Sequence, residues 1–237
     1  MRYNLDMNTT VHKLAAEALG TFTLVFFGCG SIMVSSLHPE HLPPFIVPVI
    51  FGLVVACMIY TLGHISGAHF NPAVTFGFAL ARHFPKKEVL LYWVAQVAGA
   101  IAASALLSFL LPNSISHGAT LPSVPAWTAF AWEVTLTFFL MFVIMAVATD
   151  TRAVGTMAGI AIGAIVGLDA FVGGPITGAS MNPARSIAPA LFQGTLSSLL
   201  IYIPAPMLGG GLGALVYGWI RCDKKMDAKK NAAEGCC

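Results

Sequence analysis

The sequence predicts an all-α integral membrane protein with six transmembrane helices and two re-entrant half-helices in an inverted repeat. Composition, the placement of basic residues and a duplicated Asn-Pro motif carry that expectation. Of the 237 residues, 57% are hydrophobic and only 9% charged, and the mean hydropathy is +0.80. Soluble domains carry roughly 25% charged residues, so most of this surface faces lipid. That excludes a soluble enzyme, and no nucleic-acid partner is expected.

Six apolar stretches are long enough to cross about 30 Å of hydrocarbon. They run over Leu14–Leu37, Phe45–Gly63, Val89–Leu111, Trp127–Ala148, Val154–Val172 and Leu196–Ile220. The first is too long for the core of a cleavable signal. Two shorter stretches, Asn71–Ala81 and Asn182–Phe192, each begin at Asn-Pro. At about 1.5 Å per residue they reach only half-way across a bilayer, so they read as half-helices. With the N-terminus inside and both short helices re-entrant, eleven of the twelve Lys and Arg residues fall on the cytoplasmic side. The external loops, around His38–Pro44, Pro112–Pro125 and Gln193–Thr195, hold none, as the positive-inside rule requires. A full crossing by Asn71–Ala81 would carry Arg82, Lys86 and Lys87 outside. The basic residue left over is Arg185.

The repeat is visible directly. Glu17 and Glu133 are 116 residues apart, and Asn71 and Asn182 are 111 apart. The first repeat spans about residues 11–111 and the second about 126–221, within one domain covering 1–237. Residues 222–237 form a Lys-rich cytoplasmic tail. Each repeat has three spans, an odd number, so the second is inserted upside down, and its sites are expected at the midplane between the halves.

Asn before Pro is a sound helix start: Asn caps through its side-chain oxygen and Pro at the first helical position loses no needed donor. One copy reads equally well as plain capping. Two copies at matched positions read as a pore motif, Asn71-Pro72-Ala73 and Asn182-Pro183-Ala184. Each Asn keeps two amide donors for a permeating water, and the two helix N-termini add positive potential that opposes cations. The turn-like segments before them sit at membrane depth, where irregular backbone must line a cavity or be buried in protein. The carbonyls of Gly67, Ala68, His69, Gly178 and Ser180 are expected to line the pore. Glu17 and Glu133 lie within spans. A proton pathway is one reading; their mirrored positions favour braces that accept N–H bonds from these loops. Arg185 stands where the first repeat has Val74. A cation in a helix's first turn opposes the dipole and is costly at membrane depth, so Arg185 reads as pore lining.

Several features read as structure. Gly155, Gly159, Gly163 and Gly167 form a small-residue ridge for close helix packing, as do Gly209 and Gly213. Cys29 and Cys57 read as apolar filler. Asp169 reads as a cap or brace, with the external mouth as the other placement. The tail pair Cys236 and Cys237 suits a soft metal or metalloid weakly.

The segments from His64 to Thr75 and from Gly178 to Ser186 resemble the paired signatures of the major intrinsic proteins, the aquaporin and aquaglyceroporin superfamily. The resemblance runs from Glu17 to Tyr217. With Ser186 and the Tyr202-Ile203 pair, it is most similar to the nodulin-type members and their microbial relatives. It implies an aquaporin-like fold and a homotetramer with one pore per subunit. It further implies a filter at Phe51, Ala170, Ala179 and Arg185, on the external side of the Asn pair. Water-specific members carry His where this chain has Ala170, and glycerol facilitators pair two aromatics where only Phe51 remains. The resemblance therefore implies a wide filter passing glycerol, boric or arsenous acid, and water.

The expected function is a passive channel for small neutral solutes that excludes ions and protons. A water-dominant channel is the alternative. An ion-coupled transporter would want midplane acids where this chain has Asn, Asn and Arg. An intramembrane enzyme lacks a partner for His64 or His69, and Ser66 and Ser180 read as pore lining. No cofactor or metal is expected. The bilayer, water, small solutes and further copies of the chain are the expected partners, in a plasma or bacterial inner membrane with both termini cytoplasmic.

Overall fold

The computed structural model describes residues 2–150, 153 and 155–221. The tail, with Cys236 and Cys237, lies outside the described residues, as do Arg152 and Val154. The helices are α1 (Arg2–Leu37), α2 (Val47–Ser66), the short α3 (Pro72–Leu80), α4 (Val89–Leu110), α5 (Ala126–Thr149), α6 (Ala158–Thr177), the short α7 (Pro183–Gln193), α8 (Leu199–Tyr202) and α9 (Pro204–Ile220). No strand occurs among the described residues. Six segments are long and apolar enough to cross a membrane, and they overlap the six expected from sequence.

Burial is inverted relative to a soluble protein. Trp219 is 84% exposed, whereas Glu17 and Glu133 are fully buried and Arg185 is 1% exposed. Apolar surface faces lipid at no cost, and every charge at membrane depth turns inward.

Glycine sets how closely the helices approach. Gly52 of α2 and Gly163 of α6, 111 residues apart, cross so tightly that a Cβ on either would lie 2.5–2.6 Å from the other's carbonyl oxygen. A Cβ on Gly99 would sit 2.0 Å from Ala18 O, and one on Gly209 would sit 2.3 Å from Val134 O. These are α4 on α1 and α9 on α5, the same contact in each repeat. Of the ridge expected on α6, Gly159 packs on Tyr60 and Gly163 on α2, while Gly155 precedes the helix and makes no tight approach.

The last span differs from the expected continuous helix. It breaks at Ile203, because Pro204 has no N–H for the carbonyl one turn back and its ring crowds that turn. The short helices follow the expected capping. Asn71 Oδ1 accepts from Ala73 N, and Asn182 Oδ1 accepts from both Ala184 N and Arg185 N. Gly194, in the left-handed region at φ 74°, ends α7. The N-termini of α3 and α7 meet: Asn71 Nδ2 donates to Met181 O at 2.7 Å, and Asn182 Nδ2 to Phe70 O at 2.9 Å.

Candidate functional site: a cavity where two half-helices meet

Each half-helix is preceded by a loop in an unusual conformation. Gly67 and Gly178, at φ 90° and 82°, end α2 and α6. Ala68, Phe70, Ala179 and Met181 also hold positive φ, at roughly 1–3 kcal/mol each for non-glycine residues. The buried carboxylates hold these loops in place. Glu17 accepts from Ser66 Oγ, His69 N, Phe70 N and Gln96 Nε2 at 2.7–2.9 Å. Glu133 accepts from Thr177 Oγ1, Ser180 N and Met181 N at 2.7–2.9 Å. Tyr92 and Tyr202 complete the mirrored frame by donating to Ser66 O and Thr177 O. With their N–H groups drawn back to the carboxylates, the loops leave carbonyl oxygens for the opposite side.

That side is a cavity of about 300 Å³. It is lined by Gly67, Ala68, His69, Asn71, Ser180 and Asn182, together with Phe51, Ala170, Ala179 and Arg185. The four positions expected to form a filter therefore share one cavity with the Asn pair. Pro72, Ala73, Pro183 and Ala184 are buried in the first turns of α3 and α7 and do not line it. Gly178, expected as pore lining, is not among the lining residues, and a Cβ there would meet Thr120 at 3.3 Å. Ser66 also lies off the cavity, because its hydroxyl is donated to Glu17. The rest of the wall is largely apolar, including Val55, Ile59, Ile144 and Ile162.

Arg185 is fixed from two sides. Its Nη1 donates to Gly118 O at 2.7 Å, and its guanidinium carbon lies 5.3 Å from the Phe51 ring centroid. Gly28 makes room for that ring, since a Cβ there would fall 2.3 Å from Phe51 Cε1. The Arg185 Nε is buried and has no protein partner, and the residue lines the cavity. Gly118 sits in the 111–125 connection at φ 71°, where a Cβ would meet Cys29 Cβ at 2.6 Å. That connection also supplies Thr120, whose hydroxyl bonds Ser186 Oγ at 2.7 Å.

Two expectations change. Donor counting leaves both amide hydrogens of Asn71 and Asn182 free. In the structure one of each is engaged across the midplane with the opposite loop's carbonyl, so each Asn offers one donor to the cavity. Asp169 is buried beside Ala170 but makes no bracing hydrogen bond, and its Oδ2 has no partner. Nothing in the structure explains that choice of residue.

Sequence reasoning did not find Gly118, Thr120, Tyr92 or Gln96. A glutamine in the middle of an apolar span was a usable signal for Gln96. The 111–125 connection offered none.

Known proteins share this arrangement. The sequence profile described as Major intrinsic protein matches residues 4–217. Nodulin-26 of Glycine max is 47% identical over 216 residues, covering 91% of this chain and 80% of its own. A probable NIP-type aquaporin of Nicotiana alata is 46% identical with the same coverage. The crystal structure of the aquaglyceroporin from Plasmodium falciparum superposes with a TM-score of 0.77 at 25% identity, covering 89% of this chain and 96% of that one. Two half-helices capped by Asn and meeting at one cavity, together with this extent of similarity, place the chain in the major intrinsic protein family, among its nodulin-type members.

Proposed function

We propose that this chain is a passive membrane channel for water and small uncharged solutes, glycerol and metalloid acids such as boric or arsenous acid among them, and that it excludes ions and protons. The supporting observation is the shared cavity in which Phe51 and Arg185 face a permeant beside two alanines, Ala170 and Ala179. Small side chains at two of four positions leave width for a carbon or boron skeleton. The Phe51 ring offers an apolar surface, and the guanidinium of Arg185, which lines the same cavity, offers N–H donors to a hydroxyl. The similarity to an aquaglyceroporin and to NIP-type aquaporins supports the same breadth.

Exclusion follows from the two Asn donors. A water at the midplane accepts one hydrogen bond from Asn71 and one from Asn182, and both its lone pairs are then occupied. It cannot accept a proton from the next water, so the relay stops there. The facing N-termini of α3 and α7 and the Arg185 charge raise the potential along the same path, which disfavours cations. We propose further that the chain assembles as a homotetramer with a pore in each subunit. Its place would be a plasma or bacterial inner membrane, with both termini cytoplasmic.

Stopped-flow light scattering on proteoliposomes tests the filter, with water, glycerol and boric acid as solutes. The informative variant is Ala170→His alone. Ala179 holds φ 42°, where a β-branched replacement is strained, so its substitution confounds folding with width. Glycerol and boric acid entry in the wild type, lost in Ala170→His while water flux survives, is expected. Water flux without solute entry in the wild type would overturn the wide-filter reading.

A further inference from the structure

The connection between α1 and α2 contains the run His38-Pro39-Glu40-His41, which the pore does not use. The chain folds back on itself there: His41 N and Leu42 N both donate to His38 O, at 3.1 and 3.0 Å. This turn brings three exposed ligand-type side chains together, with ligating atoms all within 4.8 Å of one another. Both imidazoles present Nδ1 to the same carboxylate oxygen. His41 Nδ1 lies 2.8 Å from Glu40 Oε1, and His38 Nδ1 lies 3.7 Å from it.

We propose that His38, Glu40 and His41 form a surface site for a divalent transition-metal ion of the zinc, nickel or copper kind. Two imidazoles and one carboxylate suit these ions and not the hard, oxygen-seeking calcium or magnesium. The geometry is close to that required. Ligands about 2.0–2.1 Å from a tetrahedral ion lie about 3.3 Å from each other, and the two nitrogen-to-oxygen distances of 2.8 and 3.7 Å bracket that value. A metal ion can thus replace the proton shared between His41 and Glu40, with the two imidazoles, whose ligating atoms lie within 4.8 Å of each other, drawing together around it. The side chains are exposed, so an ion enters without opening the fold, and three protein ligands leave a coordination position for water. The turn ends a few residues ahead of α2, which carries Phe51, so a bound ion would cross-link the α1–α2 connection without touching the cavity.

The test is a titration of the purified full-length protein in detergent with zinc sulfate, followed by calorimetry. The exposed Cys57 and the tail residues Cys222, Cys236 and Cys237 are replaced by Ser throughout to remove thiol binding. Cobalt absorption serves as a second readout of nitrogen and oxygen coordination. One ion per chain is expected, with binding weakened at least tenfold by either His38→Ala or His41→Ala and less by Glu40→Gln. Water flux through the three variants should match the parent, which certifies their folding independently of the filter reading. Absence of zinc binding in the parent, or binding unchanged by His38→Ala and His41→Ala together, overturns the proposal.

Discussion

The two repeats build the same frame and fill it differently. In both, a buried glutamate holds a left-handed loop, a tyrosine supports the loop's first carbonyl, and an Asn caps a half-helix that points at its twin. The fillings diverge in and around the cavity wall. In the first repeat His69 Nδ1 and Gln96 Nε2 converge on Thr75 Oγ1, and Gln96 adds a fourth donor to Glu17. In the second, Ser180, Ser186 and Thr120 form a chain of hydroxyls, and Glu133 receives three donors. Facing the cavity, Val74 of the first repeat is matched by Arg185 of the second. Repeated positions hold the backbone at membrane depth; positions that break the repeat set what the cavity meets.

The largest effects should come from the frame. Glu17→Gln sets the new amide NH2 against two donors in either orientation, since each carboxylate oxygen accepts two hydrogen bonds. Glu133→Gln can place it against one, because Oε2 accepts only from Met181 N. At about 1–3 kcal/mol per stranded group, the expected losses are roughly 2–6 kcal/mol for Glu17→Gln and roughly 1–3 for Glu133→Gln. Thermal unfolding in detergent, read by tryptophan fluorescence, should therefore place Glu17→Gln below Glu133→Gln. Equal losses would mean that the donor count does not distinguish the repeats.

A smaller and more specific effect is expected where the repeat is broken. Arg185→Val gives the second half-helix the residue of the first. The scaffold keeps its caps and braces, and Gly118 O loses its guanidinium partner. Glycerol entry should persist, while proton or cation leak rises by roughly tenfold, as about 1.4 kcal/mol off a barrier gives. Liposomes loaded with a pH-sensitive dye and held at a membrane potential measure it. An unchanged leak would assign exclusion to the Asn pair and the half-helix dipoles alone.

Much of the frame is legible in the sequence because its causes are local. An apolar run of membrane length, an Asn-Pro cap and a glutamate inside a span each speak for themselves, and duplication at offsets of 111 and 116 multiplies their weight. What escaped reading was set by contacts distant in sequence. Arg185 reaches Gly118 across 67 residues, from a connection with no periodicity to announce it. The cross-midplane bonds of Asn71 and Asn182 depend on how the two loops oppose each other, which donor counting on either loop alone cannot supply. The break at Ile203 had a local cause in Pro204, yet the apolar run concealed it, since hydropathy does not register a missing N–H.

The smallest effect tests the outer ends of the two half-helices. Beyond α7 the chain turns at Gly194. Beyond α3 it passes Arg82, in the left-handed region at φ 63°, and reaches His83, whose Nε2 accepts from Arg221 Nη1 at 3.5 Å. The first half-helix is thereby tied to the end of α9, a link between histidine and arginine that the Gly194 turn does not provide. Partial loss of solvent around the ring, and then the Arg221 charge, hold the His83 pKa below the usual imidazole value. A histidine lowered on folding prefers to be neutral in the folded state, so its contribution is present above the unfolded value. It is lost as pH falls through about 6.5 toward the lowered value, where protonation removes the acceptor and sets two cations side by side. Because His83 is largely exposed, the expected change is a slight fall in unfolding temperature between neutral and mildly acidic pH. That slope should flatten in His83→Gln, which keeps an acceptor for Arg221 but has no proton to gain. A slope unaltered by His83→Gln would locate the pH response elsewhere and leave the two half-helix ends alike in this respect.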